Sequence, residues 1–255
     1  MSEIKKPPKS LLRCVGRAIE DYALIKAGDC VLLGLSGGKD SLSLLHILAH
    51  LQRYAPIRFE LGCLTVDPQI PGFDPSPLKT YLADLGITHF YCTQPIMEEA
   101  KKHLIRKSFC AYCARMKRGI MYRIAREQGY NVLALAQHLD DLAESFLMSA
   151  LYSGSLQTMK AHYTNDTGDV RVIRPLVYAR ERQTADFAKV AQLPVIEDSC
   201  PACFVAPTQR EHVKGLLASE EREHKDVFQN LLHAMRPLMV RQNPPSSPQP
   251  SKEQI

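Results

Sequence analysis

The run Val31-Leu-Leu-Gly-Leu-Ser-Gly-Gly-Lys-Asp-Ser41 constrains this chain more than any other stretch. Residues 31–35 read as a short buried strand and 41–51 as a helix apolar on several sides, so Ser36, Gly37, Gly38 and Lys39 fall in the turn between them. A helix N-terminus at that turn offers unpaired N–H groups and a positive dipole end. The glycines let backbone approach an anion closely, and Lys39 adds a compact charge. A glycine-rich turn with no ligand has the same outline. However, Ser, two Gly, Lys, Asp and Ser in this order are far more specific than a lone glycine pair. The commoner P-loop has Ser or Thr directly after its lysine, whereas Asp40 intervenes here before Ser41.

At 255 residues the chain can bury one substantial core. The coarse reading is a loose, disordered arm over 1–10, one α/β domain over 11–240, and a disordered tail over 241–255 rich in Pro, Ser and Gln. Within the domain, helices are expected at 11–26, 78–85, 101–108, 110–128, 140–151 and 181–191. Strands are expected at 59–66, 88–92, 132–136 and 170–174 besides the first, with a short extended pair at 195–196. This alternation predicts a doubly wound, mostly parallel five-stranded sheet with helices on both faces. Two further helical stretches, 208–217 and 222–236, form a helical C-terminal extension. Ligands of open α/β sheets bind beyond the carboxyl ends of the strands, which gathers the glycine loop, Asp67 and the segment after Ala136 around one crevice. With 45% hydrophobic residues, no long apolar run and no apolar N-terminal segment, the expectation is a cytoplasmic protein with no membrane span.

Two constellations carry chemistry. Gln137-His-Leu-Asp-Asp141 falls where the fourth strand meets its helix; Asp140 and Asp141 either cap that helix or hold Mg²⁺, and His138 is either a ligand-facing group or a hydrogen-bonded structural histidine. Eight cysteines in such a chain argue for thiol or metal chemistry over a disulfide scaffold. Cys110-Ala-Tyr-Cys113 and Cys200-Pro-Ala-Cys203 are too far apart for a local zinc ribbon and meet only through the tertiary fold. A zinc tetrahedron, an iron–sulfur cluster and a redox dithiol working with a persulfide all remain open. Cys14, Cys30, Cys63 and Cys92 lie in apolar contexts and read as core.

The net charge of +5 is modest, but its placement is not even. Lysines and arginines crowd residues 101–126, and Arg171, Arg174, Arg180 and Arg182 form a second group. Such a run is either a solvated helix face or a surface that tracks RNA phosphates. Arg115, Arg118, Tyr122 and Arg126 recur at helical spacing on one face, with Met116, Ile120 and Ile124 on another that reads as core. Arg174 either lines an RNA entry or stands in solvent at a strand end.

The SGGKDS loop resembles the PP-motif of the N-type ATP pyrophosphatases, and the 137–141 segment resembles their GHxxDD motif with Gln137 in place of glycine. Adding the two C-x-x-C pairs, the basic Arg115-Met-Lys-Arg-Gly119 and Ile173-Arg-Pro-Leu176, the order of motifs over about residues 10–240 is similar to the tRNA 2-thiocytidine synthetase (TtcA) family. The resemblance implies a Rossmann-like, HUP-type fold and replacement of the C2 oxygen of a cytidine, at position 32 of tRNA, by sulfur. It implies ATP split to AMP and pyrophosphate, with the loop 36–41 on the pyrophosphate, Lys39, Asp40, Asp140 and Asp141 catalytic, and Asp40 with Asp140 or Asp141 on Mg²⁺. Main chain near Thr65 and Asp67 would contact adenine, and His138 would border the ATP. It also implies a [4Fe-4S] cluster on Cys110, Cys113 and Cys200, with Cys203 the alternative third ligand. Arg115, Arg118, Tyr122, Arg126 and Arg174 would meet an anticodon stem-loop. A sulfur donor such as a cysteine desulfurase and a homodimer complete the picture. Two other readings stay open: an adenylating ligase resembling tRNA lysidine synthetase with structural Zn²⁺, and a non-catalytic, zinc-stabilised nucleotide- or RNA-binding module.

Overall fold

A computed structural model describes residues 3–70, 72–96, 98, 109–196 and 208–240. In chain order the elements are α1 (Lys9–Tyr22), β1 (Cys30–Gly34), α2 (Lys39–Tyr54), β2 (Glu60–Asp67), α3 (Pro77–Asp84), β3 (Thr88–Thr93) and α4 (Phe109–Glu127). There follow β4 (Val132–Ala134), α5 (Leu139–Ser153), β5 (His162–Thr164), β6 (Arg171–Ile173), α6 (Glu181–Val190), α7 (Gln209–Glu223) and α8 (Val227–Met235).

The strands form one sheet of order β3-β2-β1-β4-β6-β5. All neighbours are parallel except β5, which runs antiparallel to β6. The sheet thus has six strands where five were expected. The added strand is three residues long, partly exposed and polar, too short to show a period of two. The pair 195–196 joins no strand. Instead, the Ile196 N–H donates to the Gly37 carbonyl at 3.0 Å, which ties the chain after α6 to the glycine loop.

Side-chain alternation sorts the core into two layers. Val31 and Leu33 of β1, Leu61 and Cys63 of β2, Val132 and Ala134 of β4 and Ile173 of β6 face α1, α2, α5, α6, α7 and α8. Leu32, Leu64, Leu133 and Val172, each one residue out of step, face α4. Because helices cover both sides, β1 reads as an unbroken apolar run in which Val31, Leu32 and Leu33 are fully buried. Each such side chain contributes about 1.5–3 kcal/mol. Cys63 is fully buried, but Cys14, Cys30 and Cys92 are only half-buried, less enclosed than core residues.

The chain leaves β1 for β2 and β3 on one side, then returns to β4 on the other. The crevice that carries ligands in such sheets therefore opens beyond the C-terminal ends of β1 and β4. Residues 3–8, expected to be a loose arm, lie against α2: Pro7 is buried and the Lys5 N–H donates to His46 Nδ1 at 3.0 Å. The expected helix at 101–108, the tail at 241–255, Cys200 and Cys203 lie outside the described residues.

Candidate active site

At the end of β1 the Leu35 N–H donates to Leu64 O, and the chain then turns through Ser36, Gly37 and Gly38 into α2. Gly37 has φ +90°, in the region that favours glycine, and a Cβ built on it would sit 2.9 Å from Ile196 Cδ1. Gly38 is the N-cap of α2 and supplies no side-chain acceptor, so the first turn of that helix keeps its N–H groups for an anion. Ser36 and Ser41 brace the turn: Ser36 Oγ accepts from the Gly38 N–H, Ser41 Oγ donates to Gly38 O at 3.0 Å, and the hydroxyls lie 3.2 Å apart. Substitution of alanine at Gly37 meets both the backbone angle and Ile196. Gly37→Ala is expected to weaken nucleotide binding at least tenfold in equilibrium dialysis with ATP; unchanged affinity would remove the loop from nucleotide binding.

Lys39 lies between two carboxylates, its Nζ 3.0 Å from Asp40 Oδ2 and 2.9 Å from Glu181 Oε1. Burial alone would lower its pKa, but the hydrogen bond to Glu181 and the charge of Asp40 outweigh it and the ammonium is strengthened. Glu181 also receives Lys214 Nζ at 2.7 Å. Burial opposes its ionisation, yet the two lysines pull its pKa down to about 2. This carboxylate bridging two ammonium groups occupies the kind of position that a phosphate oxygen would take.

The second constellation closes the crevice. His138 is the N-cap of α5: its Nδ1 accepts the Asp141 N–H at 3.3 Å, while Asp141 Oδ2 accepts the His138 N–H at 3.1 Å. With Nδ1 accepting, neutral His138 carries its proton on Nε2, which faces Asp40 Oδ2 at 3.7 Å. Asp40 also accepts from the Thr184 hydroxyl. Asp140 is enclosed differently: Arg180 Nε and Nη2 donate to it at 3.0–3.2 Å, and the Glu181 N–H donates at 2.7 Å. Its oxygens are taken up by protein donors, which leaves Asp40 and Asp141, each with a side chain about a quarter exposed, as the more open carboxylates. Arg210 reaches Asp141 at 3.2 Å and the buried Glu144 at 3.3 Å. Burial raises the Glu144 pKa. Among the described residues no three His, Cys, Asp or Glu side chains gather as a metal-holding group.

The Thr65 side chain is buried, donating to Leu35 O at 3.0 Å and pairing with His89 Nε2 at 3.0 Å. Asp67 closes the β2 end of the crevice, accepting from Tyr91 OH at 2.8 Å and from the Gln69 N–H at 2.9 Å.

The basic stripe of α4 divides. Arg115 and Arg118 are exposed. Tyr122 turns instead into the seam with β5, its hydroxyl 3.0 Å from that of Tyr163, and Arg126 is ion-paired with Asp169. Arg174, expected at an RNA entry or in solvent, is buried. It donates to Gln137 Oε1 at 2.9 Å and to Lys160 O at 2.6 Å, so it fixes the segment leading into His138. Arg180, read as part of a phosphate-tracking group, is spent on Asp140 and Glu221. Glu181, Thr184, Arg210 and Lys214 complete the site and escaped sequence reasoning. Cys110 and Cys113 occupy the opening turn of α4, and Cys113 is half-buried against the second core layer.

A mostly parallel sheet whose first strand enters a helix through an uncapped, lysine-bearing glycine turn defines a PP-loop nucleotide-binding domain. The PP-loop domain family matches residues 11–205. The chain is 41% identical over 230 residues, 89% of each chain, to the tRNA-cytidine(32) 2-sulfurtransferase of Geobacter sulfurreducens. It is 38% identical over 237 residues to that of Anaeromyxobacter dehalogenans, covering 92% of this chain and 81% of the relative. The chain therefore belongs to the PP-loop family and, within it, to the tRNA 2-thiocytidine synthetases. Its fold is shared with the U34-tRNA thiolase NcsA from Methanococcus maripaludis, a structure with its [4Fe-4S] cluster. That match has a TM-score of 0.76 at 21% identity and covers 91% of this chain and 78% of NcsA. Among the described residues no helix is long and apolar enough to cross a membrane.

Proposed function

We propose that this chain is an ATP-dependent tRNA-cytidine 2-sulfurtransferase. The observation that carries the reading is the uncapped N-terminus of α2 with Lys39 and the partly exposed Asp40 in its first turn. The C2 oxygen of cytosine leaves poorly as it stands. Attack of that oxygen on the α-phosphorus of ATP forms an O–P bond, and the bond from the α-phosphorus to the bridging oxygen breaks to release pyrophosphate. Lys39 and the first-turn N–H groups stabilise the charge gathering on the departing pyrophosphate, exchanging Glu181 for a phosphate oxygen. A sulfide equivalent then adds at C2, and AMP leaves carrying the former C2 oxygen.

Asp40 and Asp141 would hold Mg²⁺, which neutralises phosphate charge. Mg²⁺ sites commonly combine one or two carboxylates with substrate phosphates, which suits the partly exposed Asp40 beside Lys39, with Asp141 against the other ring nitrogen of His138. Cys110 and Cys113, three residues apart in one helical turn, suit soft-metal ligation, and Ile196 fastens the chain to the loop four residues before Cys200. Cys200, or Cys203 in its place, would be the third ligand in this reading, and a cluster held by these cysteines would provide a site for the sulfide equivalent. The fold relationship to a cluster-bearing thiolase supports it. An anticodon stem-loop as the docking element, a cysteine desulfurase as sulfur donor, a homodimer and a cytoplasmic location belong to the same proposal.

The test is anaerobic purification with iron and sulfide analysis and a visible spectrum, followed by nucleoside mass spectrometry of tRNA from cells with and without the gene. A band at about 400 nm with iron and sulfide, and loss of 2-thiocytidine without the gene, are expected. One equivalent of zinc with no such band would replace the cluster by the zinc reading, and unchanged 2-thiocytidine would reject the substrate.

A further inference from the structure

Arg180 has two sides. One binds Asp140 in the active site; the other binds Glu221, and the side chain lines a cavity of about 460 Å³ between α1, the turn before α6 and α8. Arg13, Arg17, Arg182, Lys225 and Arg236 line the same cavity. Arg182 shares Glu221 with Arg180, and Arg236 lies 3.7 Å from Asp21. Arg13, Arg17 and Lys225 have no acidic side chain within ion-pair distance among the described residues, and Asp226 is the one carboxylate on the wall. The guanidinium groups of Arg17 and Arg236 lie 5.6 and 5.5 Å from the centre of the Tyr178 ring, and Arg180 lies 3.3 Å from that of Phe228.

Two features separate this arrangement from a solvated helix face. The cations arrive from separate elements and converge on one concavity, where an anion would relieve their mutual repulsion. Arg17 and Arg236, laid on the Tyr178 ring, are also held in place with edge donors that an anion could take, whereas Arg180 adds charge while its own donors stay on Asp140 and Glu221. The cavity opens on the layer of α1 and α8, across the sheet from α4 and its exposed Arg115 and Arg118.

We propose that this cavity is a second phosphate-binding subsite, gripping RNA backbone that flanks the nucleotide whose base enters the crevice. Arg180 joins the two sites: it is held by Asp140 on one side and borders the phosphate cavity on the other. The inference rests on the reading of the substrate as tRNA.

The double variant Arg13→Ala/Lys225→Ala of the full chain tests it, with fluorescence anisotropy of purified tRNA across a salt series. Affinity should fall roughly tenfold and the slope of log affinity against log salt should drop by about two, since each lost phosphate contact removes close to one unit. ATP affinity should not change, and the charge-preserving Arg13→Lys/Lys225→Arg should retain tRNA binding. Unchanged affinity and slope in the alanine variant would overturn the subsite while leaving the tRNA reading intact. Loss of inorganic phosphate binding by calorimetry, with tRNA binding unchanged, would overturn it in favour of a small-anion site. A wild-type protein that binds no tRNA would instead sink the substrate reading, and the subsite with it.

Discussion

Lys39→Ala is expected to slow pyrophosphate release from ATP by about a hundred- to a thousandfold, the usual loss when one preorganised charge is removed from a developing anion. Stability should change little, because Glu181 keeps Lys214 at 2.7 Å and Asp40 keeps the Thr184 hydroxyl. The loss should appear in the maximal rate more than in the ATP concentration for half-maximal rate. Lys39 is engaged by Glu181 before ATP arrives, so its full contribution comes as charge builds on the leaving group. A coupled pyrophosphate assay and a thermal melt separate the two effects. A rate within about threefold of wild type would take Lys39 out of the chemistry.

Asp140→Ala is the converse case, with its largest effect on the fold. The Asp140 and Arg180 side chains are only 13% and 14% exposed, and removing one partner of a buried pair strands the other. Arg180 retains Glu221, so the expected loss sits at the low end for such pairs, about 3 kcal/mol in urea unfolding at pH 7. The Glu181 N–H at the start of α6 loses its acceptor at the same time. If Asp140 were purely a metal-binding carboxylate, the variant would lose activity with unchanged stability, and that result would refute the structural role. A cycle with Arg180→Met should show that the two changes are far from additive.

These two residues show what could be read from sequence and what could not. The loop and the 137–141 segment were legible because their groups are neighbours along the chain: strand, turn and helix follow in order, and a capping pair spans three residues. His138 as an N-cap was not, since a histidine accepting through Nδ1 has no propensity signal. Glu181, Arg210 and Lys214 come from helices that follow later in the chain and meet the loop only through tertiary packing, so no spacing announces them. Thr208 did advertise the start of α7, with Glu211 three residues on completing a capping box. Arg174 shows the limit of composition: a charged residue before proline marks a strand end, but only the fold reveals that its guanidinium turns inward to Gln137. The stripe on α4 divides for a similar reason, because β5, too short to be predicted, brings Tyr163 against Tyr122.

The hydrogen bond from Ile196 to Gly37 also governs how the loop can respond. A glycine peptide in a tight turn can flip and present its oxygen where an N–H belongs, and such a flip would make the cradle repel phosphate. Here the Gly37 oxygen is already engaged, so the polarity of the turn is set before any nucleotide arrives. Binding then spends little ordering entropy on the loop. Whatever loosens the chain after α6 would in turn free the peptide, and nucleotide affinity would register a disturbance that began on the way to the second cysteine pair.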